Sequence, residues 1–259
     1  MNKKMVLAAL SIVALAGSVA FADTGAGTGV PGSIHDMTKY GALGAGDPET
    51  QQGRVCAYCH TPHHAITEGN DYLPLWSHKI TTNGVFTPYL SATIDASIDP
   101  QTLMEGPSKL CMSCHDGSVA VDTHYAFVGG KTLQQLDTDF ATPMIAAGGA
   151  YNNDHPIGFI YDGLTDGGVA TGPTTGDNIP AKAAGKDPYI RNKAATYIGN
   201  TNISIADRLY QNGNGDYIMT CATCHDVHNK KNKDKAGVTN YLLLASNEGS
   251  SLCLSCHIK

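Results

Sequence analysis

Large apolar side chains are scarce. The chain has one tryptophan and five phenylalanines in 259 residues, against 29 glycines. Glycine is thus about 11% of the chain, where about 7% is usual. A core built from side chains alone is therefore not expected at this length. No cysteine stands outside a C-x-x-C pair, and no long apolar run follows the first two dozen residues. No P-loop and no G-x-S-x-G occurs, so phosphate-cradling and serine-hydrolase chemistry have no support in the sequence. Excess positive charge is lacking too: 17 Lys and Arg face 23 Asp and Glu. Nucleic acid is a poor partner for such a chain.

What is present is one pattern written four times. It reads Cys56-Ala57-Tyr58-Cys59-His60, Cys111-Met112-Ser113-Cys114-His115, Cys221-Ala222-Thr223-Cys224-His225 and Cys253-Leu254-Ser255-Cys256-His257. C-x-x-C-H is the attachment site of c-type haem. Each thiol adds across a vinyl group to form a thioether, and the histidine becomes the proximal ligand of the iron. All 8 cysteines belong to these motifs. Disulfides would allow 105 pairings but leave the histidines unexplained. Structural zinc closes with cysteine and histidine ligands, yet nothing in its geometry asks for a histidine directly after every second cysteine. The motifs therefore imply four covalent haem c groups, and the haems would supply the missing apolar bulk. The expected fold is mostly irregular, with short α-helices and little β, wrapped around a stack of four haems. Without haem the chain is not expected to fold.

Residues 1–22 read as an export signal: Lys3 and Lys4, an apolar run from Met5 to Ala16, and an Ala20-Phe21-Ala22 cleavage site. Export agrees with haem attachment outside the cytoplasm. The mature chain from Asp23 keeps 15 basic and 23 acidic residues, a formal charge of −8, and no membrane span. Residues 23–130 hold the first haem pair and 216–259 the second. Between them, 131–215 is rich in Gly, Thr and Asn and reads as a connecting region, mostly loop, with a short helix near Ser204 to Gln211. The pairs repeat one another. His60 and His225 are each followed by a histidine three residues on, His63 and His228. Ser108-Lys109-Leu110 before the second motif matches Ser250-Ser251-Leu252 before the fourth.

The second axial ligand decides between electron transfer and substrate chemistry. Histidine is plentiful enough to close every iron. His63 and His228 lie too near their own proximal histidines to reach the far face of the same haem, so each points to a neighbouring haem. His155, between Asp154 and Pro156, and His35, in Ile34-His35-Asp36, complete the expected distal set. His78 is held in reserve, and His64 and His124 read as ordinary surface residues. His35 is open to a haem of its own chain or of a neighbour. No C-x-x-C-K occurs, so an open iron site, and with it an enzyme, is not expected.

Several segments together resemble the doubled C-x-x-C-H multihaem cytochromes of metal-reducing bacteria. They are Cys59-His60-Thr61-Pro62-His63, Pro74-Leu75-Trp76, Leu110-Cys111 through Cys114-His115-Asp116-Gly117, Asp154-His155-Pro156-Ile157, and Leu252-Cys253 through Cys256-His257. Four haems and this length are most similar to the tetrahaem members that polymerise into extracellular nanowires. The resemblance implies an exported electron carrier, at the cell surface or alternatively in the periplasm. It implies a homopolymer that passes electrons to redox proteins or extracellular acceptors. It also implies a histidine shared between subunits, with His35 the natural candidate and His78 the substitute, and a ligand from His63 to an adjacent haem.

Overall fold

A computed structural model describes residues 29–33, 35–39, 53–67, 72, 74–80, 87–88, 105–116, 150–151, 154–161, 190–228 and 242–258. The export signal, His124 and much of 131–215 lie outside the described residues. Regular structure is sparse, as expected from the glycine content. Three short helices and three two-stranded sheets are present among the described residues. No helix among them is long and apolar enough to cross a membrane.

The helices are built on the motifs. Helix α1, Gly106–His115, carries the second motif and has Pro107 in its first turn, where a missing N–H costs nothing. Helix α2, Cys221–Cys224, is the third motif itself. The Thr223 hydroxyl accepts the N–H of Thr220 at 3.0 Å, closing its start. Helix α3, Ser251–Cys256, carries the fourth motif. The first motif forms a single turn, closed by His60 N–H to Cys56 C=O at 2.9 Å. The same bond recurs from His225 to Cys221 at 3.0 Å and from His257 to Cys253 at 2.8 Å. A helical turn puts positions i, i+3 and i+4 on one side, so both sulfurs and the imidazole of each motif share a face.

The sheets are small. β1 (Thr87–Pro88) pairs in parallel with β2 (Ala150–Tyr151). β3 (Thr196–Tyr197) and β4 (Asn200–Ser204) form one antiparallel hairpin. β5 (Tyr210–Gln211) and β6 (Tyr217–Ile218) form another. A 3-10 turn at Ala206–Arg208 stands where a short helix was expected. The segment 190–211, read from sequence as part of a loop-like connector, is therefore an ordered part of the second half. With Phe159, Tyr161, Met219, Leu244 and Ala245, its Tyr197, Ile205 and Leu209 form a buried core. Tyr197 Oη donates to Thr223 C=O at 2.6 Å and Tyr161 Oη to Arg191 C=O at 2.8 Å, so both phenols enter the interior with their polar tips satisfied. Burial, first among several causes, raises both phenol pKa values.

The internal repeat extends well beyond the cysteines. After the first motif, Thr61 N–H bonds Leu75 C=O at 2.8 Å and Ser77 N–H bonds Cys59 C=O at 2.9 Å; after the third, Asp226 N–H bonds Leu242 C=O and Leu244 N–H bonds Cys224 C=O, both at 2.9 Å. His60 bridges Trp76, and His225 bridges Leu243. Leu75 and Leu242 both take the left-handed conformation, at φ +55° and +59°. Left-handed backbone on a leucine costs about 1–3 kcal/mol. Its occurrence at the same place in both halves marks a turn that the surrounding bonds impose.

The halves meet where α1 packs on α2. Cys221 N–H donates to the Ser108 hydroxyl at 3.1 Å. Gly106, at φ +53°, lies against the ring of Tyr210, and a Cβ there would stand 2.6 Å from the ring carbon Cγ. Gly106→Ala is expected to destabilise the protein by about 1–3 kcal/mol through strain and overpacking. Thermal unfolding followed by circular dichroism checks this; an unchanged midpoint would mean that Tyr210 moves aside without cost.

Candidate functional site

Each motif histidine can be asked two questions: what fixes its orientation, and what faces it. His60 Nδ1 is 2.7 Å from Pro74 C=O, the arrangement of a ring N–H donating to a carbonyl. That tautomer leaves Nε2 with a free lone pair, the form in which imidazole binds a metal. His155 Nδ1 makes the same contact to Pro156 C=O at 2.8 Å. His228 Nδ1 lies 3.8 Å from Asp226 Oδ1, whose same oxygen accepts the His228 backbone N–H at 2.9 Å. Asp226 is also 3.4 Å from Arg208, so the carboxylate that steers His228 is itself held.

What faces the motif histidines is a second imidazole in three cases. His60 stands opposite His228, with ring centres 6.1 Å apart and planes at 29°. His115 stands opposite His35 at 6.0 Å and 49°. His257 stands opposite His155 at 6.2 Å and 68°. Each pair joins a motif histidine to one outside the motifs. An imidazole nitrogen binds a metal at about 2 Å and lies about 1.1 Å from its ring centre, so two imidazoles on opposite sides of one iron stand about 6.2 Å apart. Aromatic contact alone spans about 4.5–7 Å and would not select motif partners. The arrangement therefore fits axial pairs of haem iron. A haem asks the protein for axial ligands only, since the porphyrin supplies the rest. Among the described residues no group of three or more His, Cys, Asp or Glu is gathered as structural zinc would need.

Buried polar atoms without a partner include His35 Nδ1, Trp76 Nε1 and Arg208 Nε. All three adjoin motif histidines: His35 faces His115, Trp76 stands edge-on to His60 at 5.9 Å, and Arg208 donates to His225 C=O at 3.4 Å. Each such atom costs about 1–3 kcal/mol unless something meets it. Burial above all, then the neighbouring His115, His225 and His228, hold the His35 pKa down to about 4. The ring is therefore neutral near pH 7, with its lone pair available.

The sulfurs sit in places that suit an uncharged atom. Burial, as the leading cause, pushes the thiols of Cys59, Cys114 and Cys224 up to about 12. All eight cysteines are free of disulfides. The motifs lie close to one another. Cys111 and Cys221 share a hydrogen bond that raises the first and lowers the second, Cys59 feels Cys114, and Cys224 feels Cys256.

The remaining sequence candidates are placed as follows. His63 is exposed, at the end of a turn in which its N–H meets the Thr61 hydroxyl at 3.4 Å. That turn repeats the one from Asp226 to His228. His64 is exposed, in left-handed backbone at φ +60°. His78 is 1% exposed, with Nδ1 3.1 Å from Lys79 C=O and Nε2 3.7 Å from Cys114 Sγ. His35 lies beside His115 of its own chain, with ring centres 6.0 Å apart. Pro74 and Leu75 stood out in the sequence only as part of a resembling segment, without a role, and Leu242 was missed; the recurrence of Leu 15 residues after His60 and 17 after His225 was its signal.

No family model matches the chain, and no curated protein is significantly similar to it.

On the reading that haem occupies the four motifs, substituting His35, His155 or His228 by Ala should each turn one haem from a low-spin to a high-spin spectrum. His78→Ala should leave every haem low-spin. Resonance Raman spin-state bands on the purified holoprotein check this, and a low-spin His228→Ala protein would remove the His60–His228 pair.

Proposed function

We propose that this chain is a tetrahaem c-type electron carrier that works in an exported filament of its own copies, passing electrons to extracellular acceptors or other redox proteins. The observation that carries the reading is the placing of an outside histidine opposite His60, His115 and His257 at 6.0–6.2 Å. Haem bound at these motifs supplies an iron that takes up and releases one electron. The chain's part is to seal both axial positions, so that substrate finds no open coordination site and ligation stays the same in either oxidation state. That is the design of a carrier rather than of a reductase. By the repeat, His63 serves the iron at His225 as His228 serves the iron at His60. The Thr61–His63 and Asp226–His228 turns are built alike. The fold is then one in which loops, short helices and small sheets wrap four haems.

The filament rests on the resemblance of the motif-bearing segments to nanowire cytochromes. One observation favours the second reading, a self-contained periplasmic shuttle: His35 lies 6.0 Å from His115 of its own chain, and His78 is 1% exposed. Negative-stain electron microscopy of material sheared from the cell surface separates the two. Filaments are expected, and single particles alone would leave the shuttle. Carbon monoxide should leave the spectrum of the reduced protein unchanged. A shift in any of the four haems would reveal an accessible iron and reopen the enzyme reading.

A further inference from the structure

Each motif of the second half has an arginine on its own carbonyls. At the third motif, Arg208 Nη2 donates to His225 C=O at 3.4 Å, and Asp226 stands 3.4 Å from the same nitrogen. That cation is offset where it stands, by the residue directly after the motif histidine. At the fourth motif, Arg191 Nε donates to Leu254 C=O at 3.0 Å, and Leu254 lies between Cys253 and Cys256. The Arg191 backbone N–H donates to Cys256 C=O at 2.7 Å. Both carbonyls belong to the last turn of α3, where the helix itself offers no donor. Two further contacts fix the backbone here: Tyr161 Oη donates to Arg191 C=O at 2.8 Å, and Ile190 bridges His257. The residue directly after His257 is Ile258, which carries no charge. Arg191 is half-buried and forms no ion pair among the described residues. A guanidinium that stays protonated is thus held against the fourth motif with its charge uncompensated.

The next step rests on the haem reading above. Ferric haem carries one more positive charge than ferrous haem, so an uncompensated cation beside it disfavours the ferric state. We infer that Arg191 raises the reduction potential of the fourth-motif haem above that of the third-motif haem. Its hydrogen bonds fix where the charge sits, and the charge acts on the iron through space. The two sites share the same C-x-x-C-H turn and each has an arginine on its carbonyls; they differ in whether an acid answers it. Within the second pair an electron then settles on the fourth-motif haem, passing from one iron to the other with no bond made or broken.

The test uses the full holoprotein and two substitutions that divide the side chain's roles. Arg191→Gln puts an amide nitrogen on Cδ, where arginine has Nε, so the donor to Leu254 is kept and the charge is lost. Arg191→Lys keeps the charge and has carbon at that position. Spectroelectrochemical titration reads the four midpoint potentials. In Arg191→Gln one of the four should move negative with every haem still low-spin, and the shift should shrink as salt is added, because a half-exposed charge is screened. In Arg191→Lys that potential should stay near the wild-type value. Four unchanged potentials in Arg191→Gln, or an equal shift in Arg191→Lys, overturns the assignment. If Arg191→Gln fails to assemble, paramagnetic NMR of the wild type during reduction still decides: the fourth-motif haem is expected to be reduced before the third, and the reverse order overturns the proposal. Intact mass of the mature chain separates the two levels. Absence of covalent haem sinks the haem reading itself, whereas four haems with potentials indifferent to Arg191 sink only this proposal.

Discussion

Three pairs of imidazoles are held opposite one another with ring centres 6.0–6.2 Å apart, and much of the described backbone serves to keep that spacing. Imidazoles at this distance make weak contact with each other, so the spacing is not held by attraction between the rings. It is held from behind. Pro74 and Pro156 carbonyls fix the tautomers of His60 and His155, and Asp226 braces His228. Isolated bridges to Trp76, Leu243 and Ile190 pin the backbones of His60, His225 and His257. In a chain with so few large apolar residues, these bonds are what fix where the paired rings stand.

The same economy explains the shape of the chain. Helices occur where the sulfurs and the histidine of a motif must share a face, and they end soon after. His225 and His257 already have extended backbone, at ψ 147° and 138°, so the chain leaves the helical turn there and the backbone of each histidine joins a bridge to a distant segment. Among the described residues, a sizeable side-chain cluster lies under the third and fourth motifs. There Tyr197 connects the hairpin of β3 and β4 to Thr223 within the third motif. Ile198 N–H reaches the Ser255 hydroxyl within the fourth at 2.8 Å. Packing energy is thus spent on fixing the third and fourth motifs relative to one another.

Much of the site was legible in the sequence because the chemistry is local. Cys-x-x-Cys-His carries its own geometry, and the recurrence of a histidine three residues on pointed outward for steric reasons that need no structure. His155 beside a proline was also legible. What could not be read was anything decided by distant segments. Whether His35 serves its own chain or a neighbour depends on where His115 lies in space. The surroundings of His78 depend on Tyr58, Trp76 and Cys114, which reach it from other segments. The ordered hairpins within 190–218 escaped because their strands are short, lack an alternating pattern and are joined by glycine-bearing turns, and their burial comes from the motifs packed on them. Leucine in left-handed backbone at 75 and 242 is against local preference, and long-range hydrogen bonds override it.

The most direct measurement is an anomalous difference map at the iron absorption edge from crystals or vitrified assemblies of the mature holoprotein. The account places one iron midway between His35 and His115, one between His60 and His228, and one between His155 and His257, all within a single chain. Iron found away from these midpoints, or His35 bound to the iron of a neighbouring chain, would contradict it.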